Sequence, residues 1–328
     1  MIRSPPPNWP LPILNFDWTG TKLNISQNID EGIELLHEAS ENGANFVMFP
    51  ELWFPGFPKG ADGNWSRDFL PDYIENSMVV GDANWNRLID GIRSAGVYTA
   101  LAFAERTGKY LYMAQALISP LGDILIHRHK LRPSGSERAI FTDGTIGEIV
   151  AVTTSLGRVG LLECGEHWYP SMTFPLQAQA ENFHIAPFPY MLEPANKEAA
   201  WWEGAFANIG TLGHYSNLAG ATSFVTAVGV AFVVSPLAQL EAYISDTVDF
   251  TKTPILYHSI ETSGFNTSKT YDADSQTSWG VLQQILNGFP SYIPRDEGEF
   301  VDWHSIDINL ELSGEYNMSA PGSAGPGS

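Results

Sequence analysis

Cys164 carries the only thiol of the sequence and lies at the end of an apolar run at 159–163. The run predicts a buried strand, and the segment 171–180 predicts a helix, so the thiol lies in a tight turn between the two. Such a turn exposes a nucleophile to substrate, and the N–H groups at the start of a helix favour the thiolate form. Taken alone, the same context also fits a buried cysteine without chemical reactivity.

Two charged residues lie at the ends of two other predicted strands. Glu51 follows the apolar segment 45–49 and precedes a run that is rich in aromatic residues and prolines. A carboxylate in such apolar surroundings is unfavourable unless it has a partner or a chemical role. Lys130 follows the strand predicted at 124–129. Taken separately, a loop glutamate and a solvated lysine would explain these two positions.

Strands alternate with amphipathic helices up to about residue 235, and hairpins are mixed in. This alternation predicts an α/β domain in layers, with mixed sheets. We expect helices from Ser26 to Gly43, from Asp82 to Gly96 and from Ser171 to Ala180. We expect a loop at 54–81 and strands at 12–18, 45–49, 97–103, 110–119, 124–129, 147–154, 159–163 and 183–186.

The two ends of the sequence differ in composition from the rest. Residues 1–10 are rich in proline and predict an irregular N-terminal arm. Residues 313–328 are rich in serine, glycine and proline and predict a flexible tail. Since no internal repeat and no convincing linker divide the remainder, we expect a single domain at 11–312.

The composition excludes several classes of function. With 17 basic and 37 acidic residues the formal net charge is −20, which repels nucleic acid and anionic membrane surfaces. One cysteine cannot form an intrachain disulfide, and the N-terminus lacks the apolar stretch of a secretory signal. The longest apolar run, 224–234, is too short to span a bilayer. We therefore expect a cytoplasmic protein that binds neither nucleic acid nor membranes.

The three reactive positions lie in segments that resemble the signature segments of the nitrilase, or carbon–nitrogen hydrolase, superfamily. Residues 49–58 read Phe-Pro-Glu-Leu-Trp-Phe-Pro-Gly-Phe-Pro, residues 129–133 read His-Lys-Leu-Arg-Pro, and residues 164–167 read Cys-Gly-Glu-His. They come in the order and at the spacing typical of the family. The flanking segments resemble the branch that holds fungal and bacterial arylacetonitrilases and cyanide hydratases. These flanks are residues 73–78, 111–120, 137–141 and 177–186.

The resemblance implies a four-layer α-β-β-α sandwich with two mixed sheets and a cysteine hydrolase chemistry. In this scheme Glu51 takes the thiol proton, and Cys164 attacks the carbon of a nitrile. Lys130 and the backbone N–H of Gly165 stabilise the charge that develops. Glu137 resembles the second glutamate of the family and would hold Lys130. The products would be a carboxylic acid and ammonia.

Aromatic side chains near the signature segments predict an apolar substrate pocket. We assign Phe57, Gly165, His167 and Phe188 to it. Gly165 departs from the pattern of true nitrilases, which usually carry tryptophan after the cysteine. His167 is expected to pack beside the site and not to act as the base, since Glu51 already fills that role.

No cofactor and no metal ion are predicted. His127 and His129 alternate along a predicted strand without a recognisable metal-binding spacing, so we expect them to be structural. The predicted partners are a small-molecule nitrile or amide and a second copy of the chain. The resemblance implies a homodimer through the helix at 171–180, whose apolar residues exceed what one buried face needs, and dimers of this branch often stack into spirals.

Two other functions fit the same residues. An amidase, or a hydratase that converts a nitrile or cyanide to an amide, would use the same four reactive groups. The outcome depends on whether the tetrahedral intermediate expels ammonia or the thiol, which small differences in placement decide. An inactive homologue that keeps the fold and polymerises is the third hypothesis. The divergent second half of the sequence favours it, and the presence of all four reactive residues argues against it.

Overall fold

A computed structural model describes residues 1–193, 196–265, 279–289, 291–292 and 303–313. The ten strands of these ranges are β1 Phe46–Met48, β2 Tyr98–Thr107, β3 Tyr110–Ile118, β4 Ile124–His129, β5 Val152–Thr154, β6 Gly157–Leu161, β7 Phe183–Tyr190, β8 Thr222–Val228, β9 Ala231–Val234 and β10 Leu240–Ile244. The α-helices are α1 Ile25–Glu41, α2 Gly63–Glu75, α3 Ala83–Ala95, α4 Pro170–Gln177, α5 Ala205–Ala219, α6 Trp279–Asn287 and α7 Ile308–Ser313. Short 3₁₀ helices lie at Gly135–Ala139, Ile146–Glu148 and Cys164–Trp168.

The strands form two mixed sheets. The first has the order β1-β2-β3-β4, with β1 parallel to β2 and the other pairs antiparallel. The second has the order β10-β9-β8-β7-β6-β5, and its centre, β6 to β8, is parallel. Since parallel strands end at the same edge of a sheet, the segments that follow β6 and β7 begin at one edge of the second sheet.

The buried side chains show that the two sheets stack face to face between outer helices. One cluster joins Met48 and Leu117 of the first sheet to Val159 and Ile185 of the second. A second cluster joins α1 and α3 to the outer face of the first sheet, and a third joins α5 to the outer face of the second. This arrangement confirms the α-β-β-α sandwich with two mixed sheets predicted from the sequence.

The segment predicted as a first strand, 12–18, forms turns instead. Proline cannot donate a hydrogen bond to a sheet, and the prolines of this stretch prevent a ladder. The segment is fixed by side chains: Trp18 Nε1 donates to the carbonyl of Lys59 at 2.8 Å. Lys59 Nζ in turn donates to the carbonyls of Pro10 and Ile13, at 2.7 and 2.9 Å.

The region predicted as a loop, 54–81, contains helix α2. The Asp62 side chain accepts from the N–H groups of Asn64 and Trp65, so it caps the helix. The glycines and prolines that predicted a loop lie mainly before this cap. Helix α1 begins at Ile25, earlier than expected, because Asn24 and not Ser26 is its N-cap residue.

The N-terminal segment begins inside the fold. Met1, Ile2 and Arg3 are buried, and Ile2 forms an isolated β-bridge with Ile255. The Arg3 guanidinium donates four hydrogen bonds to main-chain carbonyls between residues 229 and 253. The segment 1–10 therefore tethers the second half of the chain. The tail predicted at 313–328 lies outside the described residues, except Ser313, which ends α7.

The helices within the described ranges are too short or too polar for a membrane span.

Candidate active site

Lys130 joins two carboxylates in the interior of the protein. Its Nζ donates to Glu51 Oε1 at 2.7 Å and to Glu137 Oε2 at 2.8 Å. Glu51 lies just after β1, Lys130 just after β4, and Glu137 in the first turn of the following 3₁₀ helix. The side chains of Lys130 and Glu51 are 0% exposed and that of Glu137 is 8% exposed, so water screens these charges little.

Cys164 begins the 3₁₀ helix that follows β6. Its φ angle is +43°, in the left-handed region that side-chain-bearing residues rarely adopt. Such a backbone costs about 1–3 kcal/mol and persists where the surroundings enforce it. The first N–H groups of this helix, including that of Gly165, have no acceptor within the helix itself. They are therefore available to an anion that forms at the sulfur.

Electrostatic interactions connect Cys164 to the buried array. Burial raises the pKa of the thiol, the charge of Glu51 raises it further, and Lys130 opposes this shift only in part. The pKa therefore lies well above the usual value, and the resting group is the thiol. The expectation that the helix N-terminus favours a thiolate is wrong for the resting state, because burial and the carboxylates outweigh it.

Glu51 is suited to accept that proton. Burial raises the pKa of its carboxyl to about 8, with Lys130 opposing the shift and Glu137 adding to it. Glu51 Oε1 receives the hydrogen bond from Lys130, and the carboxyl group of Glu51 also interacts with the Cys164 thiol. Burial alone would lower the pKa of Lys130, but Glu137 and Glu51 hold it well above the usual value, so the ammonium persists.

The loop that holds Glu137 also lies against the cysteine turn. Ser134 N donates to Glu137 Oε2 at 2.6 Å, so one carboxylate oxygen binds both this N–H and Lys130. A Cβ atom built on Gly165 would lie 2.6 Å from Ser134 Oγ. A side chain at position 165 would therefore require the Ser134 hydroxyl group to move, whereas glycine accommodates it as it stands.

The predicted pocket residues separate into two places. His167 lies directly beside Cys164, because its Nδ1 bonds to the Cys164 carbonyl at 2.8 Å, and Phe188 stacks on the His167 ring with centroids 5.5 Å apart. Phe57 packs on Tyr190, with ring centroids 6.1 Å apart. Cys164 contributes to the raised pKa of Tyr190, so Tyr190 lies near the sulfur. Phe57 packs on Tyr190 and is therefore connected to Cys164 only through that ring, whereas His167 contacts Cys164 itself.

His167 belongs to a buried hydrogen-bonded chain that the sequence did not indicate. His167 Nε2 meets His184 Nε2 at 2.8 Å, His184 Nδ1 meets Glu181 Oε2 at 3.0 Å, and Tyr215 donates to Glu181 Oε1. Burial, followed by His184, lowers the pKa of His167 to about 3, so its imidazole is neutral near neutral pH. His167 contacts the main chain of Cys164, and that it is not the base stays a prediction.

A buried ion pair between Arg128 and Glu166 stabilises the turn that begins at Cys164. Glu166 accepts from Arg128 Nη2 at 2.6 Å and from Arg128 Nη1 at 2.9 Å, and both side chains are at most 1% exposed. The same carboxylate accepts from the N–H groups of Leu131 and Glu163, each at 2.7 Å. It therefore links the turn after β4, which carries Lys130, to the turn that carries Cys164.

Arg128 and Glu163 were not predicted as site residues. Arg128 lies two positions before Lys130 at the end of β4. Because alternate residues of a strand point to the same face, this spacing could have predicted that both side chains face the site. Glu163 is buried, and neither carboxylate oxygen has a hydrogen-bond partner among the described residues. Burial and the charge of Glu51 raise its pKa well above the usual value, so Glu163 is protonated near neutral pH.

Comparison with known proteins agrees with this geometry. An aliphatic nitrilase of Rhodococcus rhodochrous is 36% identical over 173 residues, which cover 52% of this chain and 45% of the relative. A cyanide hydratase of Leptosphaeria maculans is 34% identical over 171 residues, which cover 51% of this chain and 48% of the relative. The chain thus spans about half the length of the curated relatives it matches.

A solved structure supports the fold. An amidase from Nesterenkonia sp. superposes with a TM-score of 0.55 at 19% identity, over 68% of this chain and 82% of that chain. Residues 11–246 match the family model described as carbon-nitrogen hydrolase. The match covers more than half of the sequence and includes Cys164 and the three residues of the array, so the chain belongs to the carbon–nitrogen hydrolase family.

Proposed function

We propose that the protein hydrolyses a nitrile to a carboxylic acid and ammonia, with Cys164 as the nucleophile. The observation that carries the proposal is the buried Glu51–Lys130–Glu137 array beside a thiol in a strained turn. A carboxylate with a raised pKa and a neighbouring thiol form the pair that nucleophilic catalysis needs. The nitrilases among the relatives add support, since their names describe this reaction class.

In the first step, Glu51 Oε2 takes the thiol proton while the sulfur attacks the nitrile carbon. A carbon–sulfur bond forms, and one π bond of the nitrile becomes a lone pair on nitrogen. Glu51 then gives the proton to that nitrogen, which yields a covalent thioimidate. Lys130 Nζ and the Gly165 N–H stabilise the negative charge as it develops on nitrogen.

In the second step, Glu51 takes a proton from water as the water oxygen attacks the thioimidate carbon. That proton and then the proton of the new hydroxyl group pass to nitrogen, the carbon–nitrogen bond breaks as the carbonyl forms, and ammonia leaves a thioester. A second water repeats the attack, the carbon–sulfur bond breaks, and the thiol is regenerated with release of the acid. Glu137 keeps Lys130 charged and in position throughout, since it binds the ammonium from the side opposite Glu51.

Amide hydrolysis, or hydration of a nitrile to an amide, is the second candidate. One solved structure that matches is an amidase, and cyanide hydratases are among the curated relatives. An amide would enter the same cycle at the tetrahedral intermediate, lose ammonia and form the same thioester. A hydratase would expel the thiol from the intermediate instead. The side chains that surround the bound intermediate would select among these outcomes by orienting the leaving group.

The direct test is ammonia release against aliphatic, aromatic and arylaceto-nitriles, cyanide, and the matching amides. We expect turnover of at least one nitrile. Cys164→Ala should abolish it, and Lys130→Met should lower the rate about a hundredfold to a thousandfold, by analogy with loss of one oxyanion donor.

The matched control is Lys252→Met, because the Lys252 side chain is 82% exposed and pairs only with Asp249. This variant should retain the wild-type rate. Substantial ammonia release by Cys164→Ala would contradict the cysteine mechanism. Turnover of amides alone, with none of the nitriles, would favour the amidase.

The pKa of Glu51 predicts how the rate depends on pH. Only the ionised carboxylate can accept the thiol proton, and its fraction rises as pH rises through a pKa of about 8. We therefore expect kcat/KM to increase with pH and to reach half its maximum near pH 8. Circular dichroism over the same range controls for unfolding. A rate that is constant or falls between about pH 6 and pH 8 would exclude Glu51 as the base.

We also propose that two copies of the chain pair through the surface formed by α4 and the start of α5. Leu176 of α4 is fully buried in the core of its own chain, but Met172 and Phe174 are only partly buried. Beside them, Tyr169 is 55% and Phe206 is 77% exposed. An apolar surface of this kind is typical of a protein interface, and a second copy is the partner that the family resemblance favours.

Light scattering at micromolar concentration should therefore give the mass of a dimer. The double variant Met172→Asp, Phe174→Asp should be monomeric, since buried like charges would face each other across a twofold axis. Leu121→Asp is the control, because Leu121 is 74% exposed in a turn elsewhere. A wild-type monomer would overturn the dimer, and a dimer that survives the double substitution would exclude this surface.

A further inference from the structure

A second cluster of chemically active side chains lies outside the candidate active site. Glu105 Oε2 is 2.6 Å from His127 Nε2 and 3.2 Å from His129 Nε2. One potential ligand atom from each of the three residues lies within 4.8 Å of the other two. Two imidazole nitrogens and one carboxylate oxygen therefore converge on a single point.

The register of the first sheet explains this convergence. On the middle strand β3, Ala114 lies opposite His129 of β4, and Ala116 lies opposite His127. Glu105 lies on β2, on the other side of β3. The two alanines leave the space above β3 free, so longer side chains from the outer strands meet across it.

The cluster and the candidate active site lie on opposite faces of the same strand. Successive residues of a strand point to opposite faces, so His127 and His129 point away from Arg128 and Lys130. Lys130 contacts Glu51 on the inner face, where the two sheets meet. A ligand at the histidine cluster would therefore not compete with substrate for space.

Further contacts orient one of the imidazoles. His129 Nδ1 lies 3.2 Å from Glu148 Oε2, and the same oxygen accepts from His129 N at 2.8 Å. Thr145 Oγ1 donates to the other oxygen of Glu148 at 3.1 Å, and the ring of Tyr112 stacks on His129 at 4.1 Å. A metal ion would replace the proton that His129 Nε2 shares with Glu105, while Glu148 continued to bind Nδ1–H, which is the usual arrangement around a metal-binding histidine.

We propose that Glu105, His127 and His129 bind a divalent transition-metal ion, for which zinc fits best. Zinc bonds of about 2.0–2.2 Å in tetrahedral geometry separate ligand atoms by about 3.3 Å. The Glu105–His129 distance of 3.2 Å is close to this value, and the Glu105–His127 distance of 2.6 Å would lengthen when an ion replaced the hydrogen bond. Two histidines and one carboxylate are a ligand set that zinc accepts with a fourth position open to water. The side chains of His127 and His129 are 31% and 15% exposed, so an ion can reach them.

Such an ion would connect β2 to β4 across β3 and, through His129 and Glu148, to the 3₁₀ helix Ile146–Glu148. It would also fix the strand end that precedes Lys130. The site is independent of the proposed hydrolase function, because its ligands and its face of the sheet are different.

The experiment is calorimetric titration of the chelator-treated full chain with zinc alone. It uses a Cys164→Ala background, so that the lone thiol cannot bind the metal. We expect one zinc ion per chain and a higher melting temperature in its presence. Cobalt(II) should give the ligand-field absorption of a tetrahedral nitrogen and oxygen site, which reports the ligands independently of stability.

Three substitutions separate the ligands from their surroundings. Glu105→Gln and His129→Gln, which are similar in size to the residues they replace, should each remove saturable binding. Glu148→Gln should weaken binding about 10–100-fold, as expected for a group that orients a ligand. His258→Gln is the matched control, because His258 also pairs with a glutamate, Glu241, at 3.3 Å but with no second histidine in the cluster.

The proposal is wrong if the Cys164→Ala protein shows no saturable zinc binding and no change in melting temperature. In that case the cluster consists only of hydrogen-bonded ion pairs between Glu105 and the two histidines. Undiminished zinc affinity in folded Glu105→Gln and His129→Gln proteins would overturn it as well, because the ion would then bind elsewhere.

Discussion

The structure of the site depends on one buried ammonium between two carboxylates. Lys130 donates to Glu51 and to Glu137, and all three groups are removed from water. A buried charge without partners is strongly destabilising, and removal of one partner of a buried pair typically costs about 3–5 kcal/mol. The segments that carry these residues must therefore come together for the chain to fold. The same requirement gives Glu51 its raised pKa, because burial outweighs the attraction of the ammonium.

Strand β4 connects this array to the rest of the molecule. Lys130, directly after the strand, binds the two carboxylates, and Arg128, on the same face, binds Glu166 below the cysteine turn. Glu51 N also donates to the carbonyl of Phe188 in β7 at 3.1 Å, which joins the first sheet to the second at the site. The position of the sulfur relative to the base is thus determined by both sheets. His167 also holds the main chain at Cys164, through its hydrogen bond with the Cys164 carbonyl.

The sequence was sufficient for the fold class and for the residues that end strands. Glu51, Lys130 and Cys164 each follow a predicted strand, and that pattern is local. It was not sufficient for partners that are distant in sequence: Glu105 meets His127 from 22 residues away, and that pairing depends on the register of three strands. The protonation state of Cys164 was also beyond a local pattern, because burial decides it. Helix α2 was not predicted although its pattern is local, because the glycines and prolines before its cap residue indicated a loop.

The most direct test of the covalent mechanism is the mass of the protein during turnover of a slow nitrile. Rapid acid quenching followed by intact and peptide mass spectrometry should reveal a thioimidate or acyl adduct on the peptide that contains Cys164. Glu51→Gln should slow the breakdown of any adduct that forms, since the base also activates water. Product formation at the wild-type rate with no adduct on Cys164, under conditions where a synthetic thioester survives the quench, would contradict the mechanism.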